Sequence, residues 1–263
     1  MKSSFRILPF ILLLGSSCIG NFDKGQTYFN NGQYEEAIQE ANRLLFLNTS
    51  DVQVLDLRAK SLVELDQYQK AIKDFDRILQ IDPKNAMAMG GKGRAFWMME
   101  DYEKAEYFML RAAGLDPTNV QFLVLLGRAL LKNEKYKEAN EFLRIAKDID
   151  PTQANIYFYQ GIALAHLGDV LGTAVQFNAY LHHSPDDLSA HYNRGYAFLQ
   201  LGMVDWALED FDKVLNAKPD HYEARARRAV CLLESNPTRA CEELKLAAAR
   251  GSKYAQERLE HCK

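Results

Sequence analysis

The sequence lacks an excess of basic charge. Lys and Arg number 32 against 35 Asp and Glu, a net charge of −3. Nothing in that balance points to nucleic acid, which is met by clustered cations. No glycine-rich phosphate loop, nucleophile elbow or zinc-protease helix motif occurs, so no catalytic constellation or cofactor is expected. His182, His183, His191 and His221 fit no metal-ligand spacing; they are expected as solvated loop and helix-end residues, and no metal is expected. Low-complexity segments are absent too. No apolar run is long enough to cross a bilayer. The one at the front, Ile7 to Leu14, spans roughly 12 Å as helix, against a hydrocarbon core of about 30 Å.

That front end, "MKSSFRILPFILLLGSSC", has a basic start, a short apolar run and then small residues. It reads as an export signal over residues 1–17. Leu14-Gly15-Ser16-Ser17-Cys18 resembles a bacterial lipoprotein box. The resemblance implies cleavage before Cys18 and lipid on Cys18, with the chain held at a membrane. The leucine stands four places before the cysteine rather than three. An ordinary signal cut near Gly20, with Cys18 discarded, is the alternative.

Proline is scarce, at seven residues, yet five of the seven are evenly placed. Pro83, Pro117, Pro151, Pro185 and Pro219 are each 34 apart. Gly93, Gly127, Gly161 and Gly195 repeat at the same interval, continued by Gly25, Ala59 and Ala229. Ala37, Ala71, Ala105, Ala139 and Ala207 do likewise, with Thr173 in the gap, and so do Tyr34, Tyr68, Tyr102 and Tyr136. This 34-residue period of small, small, aromatic and proline marks resembles the tetratricopeptide repeat family. The resemblance implies an all-α fold: a right-handed α-solenoid of helix-turn-helix repeats. Blocks start near 18, 52, 86, 120, 154, 188 and 222 and run to 251, and a capping helix follows over 252–263. The family's first-helix tryptophan is missing; Leu55, Met89, Leu123, Tyr157 and His191 stand there.

The patterning agrees without the family. In the fourth block Leu123, Leu126, Gly127 and Leu130 mark one face of a helix, and Ala139, Leu143 and Ala146 mark another. Small residues at the centre of each stripe allow close approach. Proline closes each second helix by driving the preceding residue out of the α region. The nearly uncharged stretch 115–131 is thereby read as a repeat's first helix packed on several sides, not a membrane segment. Block one lacks the closing proline, having Thr49, and has Ala41 in place of an aromatic. Block seven is one residue short at its turn, Asn236-Pro237. Both fit terminal repeats, which face solvent on one side.

The resemblance also implies a concave face lined by the free stripe of the first helices. Its ninth positions carry Lys60, Arg94 and Arg128 in succession, then Ile162, Tyr196 and Val230. Trp97, Phe158, Tyr192 and Leu199 lie beside them, and Asn193 sits where family members often place a backbone-binding asparagine. The expected partner-binding groove is therefore Lys60, Arg94, Trp97, Arg128, Phe158, Tyr192, Asn193 and Tyr196. Arginine and aromatics are favoured binding anchors. Two uses remain open: a partner site, or cations neutralising nearby acids beside aromatics packed between first helices. The family's clamp for C-terminal carboxylates is not expected, because block one offers Phe22 and Gln26 where lysine and asparagine would be needed. Glu35-Glu36 and Asp210-Asp212 are read as solvated charge on outer helix faces.

Cys241 lies ten residues before Gly251 and Cys262 ten after Ser252. Across a tight antiparallel turn such positions come level, within the Cα range of about 4.4–6.8 Å that a disulfide needs. Export would place them where disulfides persist. Cys231 is the rival partner, or a buried free thiol. The expected function is a non-catalytic scaffold of the bacterial cell envelope, lipid-anchored and holding a protein or peptide partner. A surface-exposed envelope protein with external or matrix partners, an accessory subunit of an envelope or enzyme complex, and a secreted or periplasmic chain are the alternatives.

Overall fold

A computed structural model describes residues 20–262; Cys18 and the expected signal over 1–17 lie outside them. The described chain is helical, without strands. It divides into two compact units, 1–115 and 116–263.

The first unit holds three antiparallel helix pairs: α1 (Phe22–Asn30) with α2 (Tyr34–Leu47), α3 (Val52–Glu64) with α4 (Tyr68–Ile81), and α5 (Ala86–Met98) with α6 (Tyr102–Leu115). The second holds α7 (Val120–Lys132) with α8 (Tyr136–Ile149), α9 (Ala154–His166) with α10 (Val170–His183), α11 (Leu188–Gln200) with α12 (Val204–Ala217), and α13 (Tyr222–Cys231) with α14 (Pro237–Ala249). The expected terminal helix is shorter than the sequence suggests. It is α15 (Lys253–Arg258), followed by a 3₁₀ turn over Leu259–Cys262.

Local chemistry sets these ends. Asp51, Asn85, Asn119 and Asp187 each accept a backbone N–H from the first turn of the helix that follows, which satisfies an otherwise orphaned donor. The first helix begins at Phe22, four residues later than the register places block one, because Asn21 caps it at Lys24 N. Between the helices of a pair, one residue takes a positive φ at positions 32, 66, 100, 134, 168 and 202. Glycine fills three of these, while Asp66, Glu100 and Glu134 adopt the same left-handed turn without that freedom.

The core follows the same interval. Phe75, Met109, Leu143, Phe177 and Phe211 are all buried in second helices. Opposite the last four stand first-helix glycines, Gly93, Gly127, Gly161 and Gly195, while Ala59 holds that position before Phe75. A Cβ added at Gly127 would lie 2.6 Å from Leu143 Cγ, and one at Gly93 would lie 2.9 Å from Met109. The glycine is thus the socket and the residue sixteen positions on is the plug.

Two expectations are overturned. Asp210 is not solvated: it is 1% exposed and accepts hydrogen bonds from Arg194. His191, expected near a helix end in solvent, is also buried, with Nδ1 2.6 Å from Asp210 Oδ1 and Nε2 2.9 Å from the Pro185 carbonyl. A buried carboxylate survives only where charged donors replace water, and the Arg194 guanidinium supplies two N–H groups to this one.

Candidate partner-binding face

In the first unit, Lys60 on α3 pairs with Asp56 one turn earlier, at 2.6 Å. Arg94 on α5 reaches back to Glu64 on α3, at 2.8 Å. The Trp97 ring stands 5.0 Å from Tyr102, across the turn between α5 and α6. Both cations that the sequence singles out here have an acid in contact.

In the second unit the expected residues fall among aromatic rings. Arg128 on α7 lies over the Tyr159 ring at 5.1 Å. Phe158 on α9 packs edge-on against Phe177 and lies 5.0 Å from Tyr180. Asn193 on α11 donates from Nδ2 to the Ser189 carbonyl of its own helix, at 2.8 Å. Tyr192 rests on Phe211 and His221.

Tyr192 and Tyr196 meet over a residue that sequence reasoning missed. The Arg227 guanidinium on α13 stands 5.2 Å from the Tyr192 ring, 4.6 Å from Tyr196 and 4.4 Å from Tyr254 on α15. Two helices, α11 and α15, therefore supply the three walls of one aromatic box around a cation carried by a third, with π-faces turned to its charge. Glu223, one turn earlier on α13, closes it with a 2.7 Å ion pair. Arg258 covers the Tyr254 ring at 3.5 Å.

The electrostatics follow from burial. It raises the phenol pKa of Tyr192 and of Tyr254, with nearby arginines opposing it in each case. Burial also pushes the Glu223 carboxyl up, but hydrogen bonds from Ser252 and Arg227 outweigh it and hold the group below the usual carboxylate range. Glu223 thus stays ionised at neutral pH. The box presents stacked aromatic surface and oriented guanidinium groups but no paired acid and base poised for proton transfer. Among the described residues no group of three His, Cys, Asp or Glu is arranged to hold a metal, and no helix is long and apolar enough to cross a membrane.

Sequence reasoning passed over Arg227 because it is a sixth position, outside the stripe taken to face a groove. Tyr254 belongs to the terminal helix, where the 34-residue interval no longer applies. Cys241 and Cys262 are bonded, with Cα atoms 5.4 Å apart, and Cys231 is a buried free thiol.

Tetratricopeptide repeat profiles match residues 57–120, 120–153 and 189–221. The profile of anaphase-promoting complex, cyclosome, subunit 3 matches residues 21–78. No curated protein sequence matches the chain. Among solved structures, YrrB, a TPR protein with an unusual peptide-binding site, is 26% identical, over 70% of this chain and 95% of its own, with a TM-score of 0.64. The C-terminal part of a TPR repeat-containing protein from Cytophaga hutchinsonii is 18% identical, over 90% of this chain and 98% of its own, with a TM-score of 0.68. A tetratricopeptide repeat protein from Parabacteroides merdae is 15% identical, over 91% and 96%, with a TM-score of 0.60. These last two show likeness of fold. The matched segments and the helix pairs share one 34-residue register, and the chain is a tetratricopeptide-repeat protein.

Proposed function

We propose that the chain is a non-catalytic scaffold of the bacterial cell envelope, anchored through lipid on Cys18, that holds a segment of a partner protein on the first-helix face of its second unit. The tyrosine box around Arg227 carries this reading. Tyrosine and arginine offer large contact area and directed hydrogen bonding, and they dominate binding hot spots. The repeat fold supports a binding role, and YrrB, the relative of 26% identity, has a peptide-binding site. The envelope assignment rests on the front of the sequence, where a basic start, a short apolar run and small residues precede Cys18.

The partner segment this face suits is acidic or mixed acidic and aromatic. Its carboxylates would meet Arg128 and Arg258, and its rings would stack beside Tyr159 and Tyr196. Crosslinking in intact envelopes followed by recovery of the chain tests the proposal. Tyr196→Ala with Arg258→Glu should abolish recovery of the partner while leaving the helical signal unchanged. Undiminished recovery would refute the site. For the anchor, Cys18→Ser should move the protein from the membrane fraction to the soluble one; a wild-type chain already soluble after detergent phase separation would refute it.

A further inference from the structure

A second surface of the second unit lies apart from the tyrosine box. Of nine large apolar side chains exposed in that unit, seven fall between residues 167 and 206. They gather at one edge, where the turns joining α9 to α10 and α11 to α12 emerge. Leu171 is 63% exposed, Val175 54% and Trp206 60%, with Leu167 and Met203 beside them. Trp206 is braced edge-on against the buried Phe198 ring, so it is held outward rather than folded in. Together these side chains present on the order of several hundred Å², the range in which an exposed apolar patch marks an interaction site.

The composition of α10 indicates what covers it. Among the second helices, α2, α4, α6, α8, α12 and α14 all carry acids and bases. α10, "VLGTAVQFNAYLHH", carries no Asp, Glu, Lys or Arg. Its exposed stripe is Leu171, Val175, Asn178 and His182, at the spacing of one helix face. A contact about a two-fold axis sets each residue near its own copy. Any charge close to the axis then meets a like charge, which the other second helices could not avoid and α10 does. Binding to an anionic lipid surface is disfavoured, because basic side chains should flank such a patch. Here the charged residues of 167–206 are Asp169, Asp186, Asp187 and Asp205 against Arg194 alone. Asp169 and Asp187 are engaged as helix caps, and Asp186 pairs with Lys213.

From this we infer that two copies of the chain pair through this edge, α10 against α10 about a two-fold axis. Dimers so formed would keep the Arg227 box of each copy free on a different face. The test is the mass of the purified full chain by sedimentation velocity across the micromolar range. The expected result is a shift from the mass of a single chain to twice that value. Leu171→Glu with Val175→Glu should stay at the single-chain mass at every concentration. A cysteine at position 175, from Val175→Cys, should crosslink two chains on mild oxidation. Lys73→Cys, at the same register position of α4, should not; this comparison holds even if the double variant folds poorly. A wild-type chain that stays monomeric throughout, a dimer unaffected by the double variant, or a monomer that instead floats with phosphatidylcholine vesicles through this edge would each overturn the inference.

Discussion

Arg194 grips Asp210 through two parallel hydrogen bonds, from Nε at 2.9 Å and Nη2 at 2.8 Å, sixteen residues along the chain. Its third prong, Nη1, donates to Asn178 sixteen residues back, at 2.9 Å. One guanidinium thereby joins the second helix of its own repeat to that of the repeat before. Arg58 repeats the arrangement with Asp74 and Asn42. Arg228 does so with Asp212 and with Glu243, the latter only fifteen residues on because the turn of that repeat is one residue short. The seventh position of a first helix is thus a coupling position between repeats. Arginine suits it because its planar fork serves both partners at once.

Removing the acid should unpair every group that faces it. Asp210→Ala leaves the half-buried Arg194 and the buried His191 without their carboxylate. Truncating one partner of a buried pair costs about 3–5 kcal/mol. The expected outcome is a loss of that size in urea unfolding, while Glu103→Ala, on an exposed helix face, changes stability by less than about 0.5 kcal/mol. A similarly small effect at Asp210 would show that the pair is a surface ornament.

Much of this architecture was legible in the sequence, for identifiable reasons. The glycine sockets and alanine contacts recur because each repeat must solve the same close-approach problem, so the period alone exposes them. The fork between Arg194 and Asp210 was not legible. Its sixteen-residue offset crosses a turn and belongs to no helical face period, so Asp210 looks like any outer-face acid. Two cations read from the stripe, Lys60 and Arg94, find acids at Asp56 and Glu64. The box around Arg227 was half legible: Tyr192 and Tyr196 follow the register, whereas Tyr254 comes from beyond the last repeat.

The left-handed turn at position 100 is a place where the sequence departs from what its backbone prefers. Glu100 has φ 59°, where Gly32, Gly168 and Gly202 stand in other repeats. A side chain in that region costs about 1–2 kcal/mol, partly offset by the extra freedom glycine gains in the unfolded chain. Glu100→Gly should raise stability by about 0.5–1 kcal/mol, read as a higher melting temperature. The opposite change, Gly202→Glu, should lower it.

Glycine inside the helices divides into two kinds. At Gly114 an added Cβ meets nothing within 4 Å, so Gly114→Ala should stabilise α6 by about 0.8–1 kcal/mol through helix propensity. At Gly127 the same methyl would press on Leu143. There Gly127→Ala should destabilise by about 1–3 kcal/mol through overpacking. Opposite signs from one substitution in two helices are the result to look for by thermal unfolding.

Acid should loosen the first repeat through Glu40. Its carboxylate is buried, and burial alone would raise its pKa. Lys24, the Asn21 N–H and Arg43 outweigh that and hold it below its ordinary value. A depressed folded pKa means stability that is present above the unfolded pKa and lost as pH falls through the folded one. Amide exchange in α1 should therefore speed up below about pH 4.3, and Glu40→Gln should make α1 labile already at neutral pH and remove that acid dependence.

The disulfide and the proposed binding face meet at the terminal helix. α15 has six residues, too few to hold a helix in water unaided. Tyr254, Ala255 and Leu259 pack onto Ala226, Ala229, Leu244 and Ala247, and the Cys241–Cys262 bond fastens the far end. Such a loop is worth about 3 kcal/mol in the chain-entropy account. Cys262→Ser should therefore speed amide exchange across 252–262 well before the rest of the second unit opens. Because Tyr254 is one wall of the Arg227 box, the same variant should also weaken partner recovery in the envelope crosslinking experiment. Cys231 provides the internal control: burial lifts its thiol pKa to about 11, so it should resist alkylation in native protein and react only after unfolding. If Cys262→Ser speeds exchange in the terminal helix but leaves partner recovery intact, the Tyr254 wall plays no part in binding. If Cys262 is alkylated in native exported protein, the bond is absent and the terminal helix is held by packing alone.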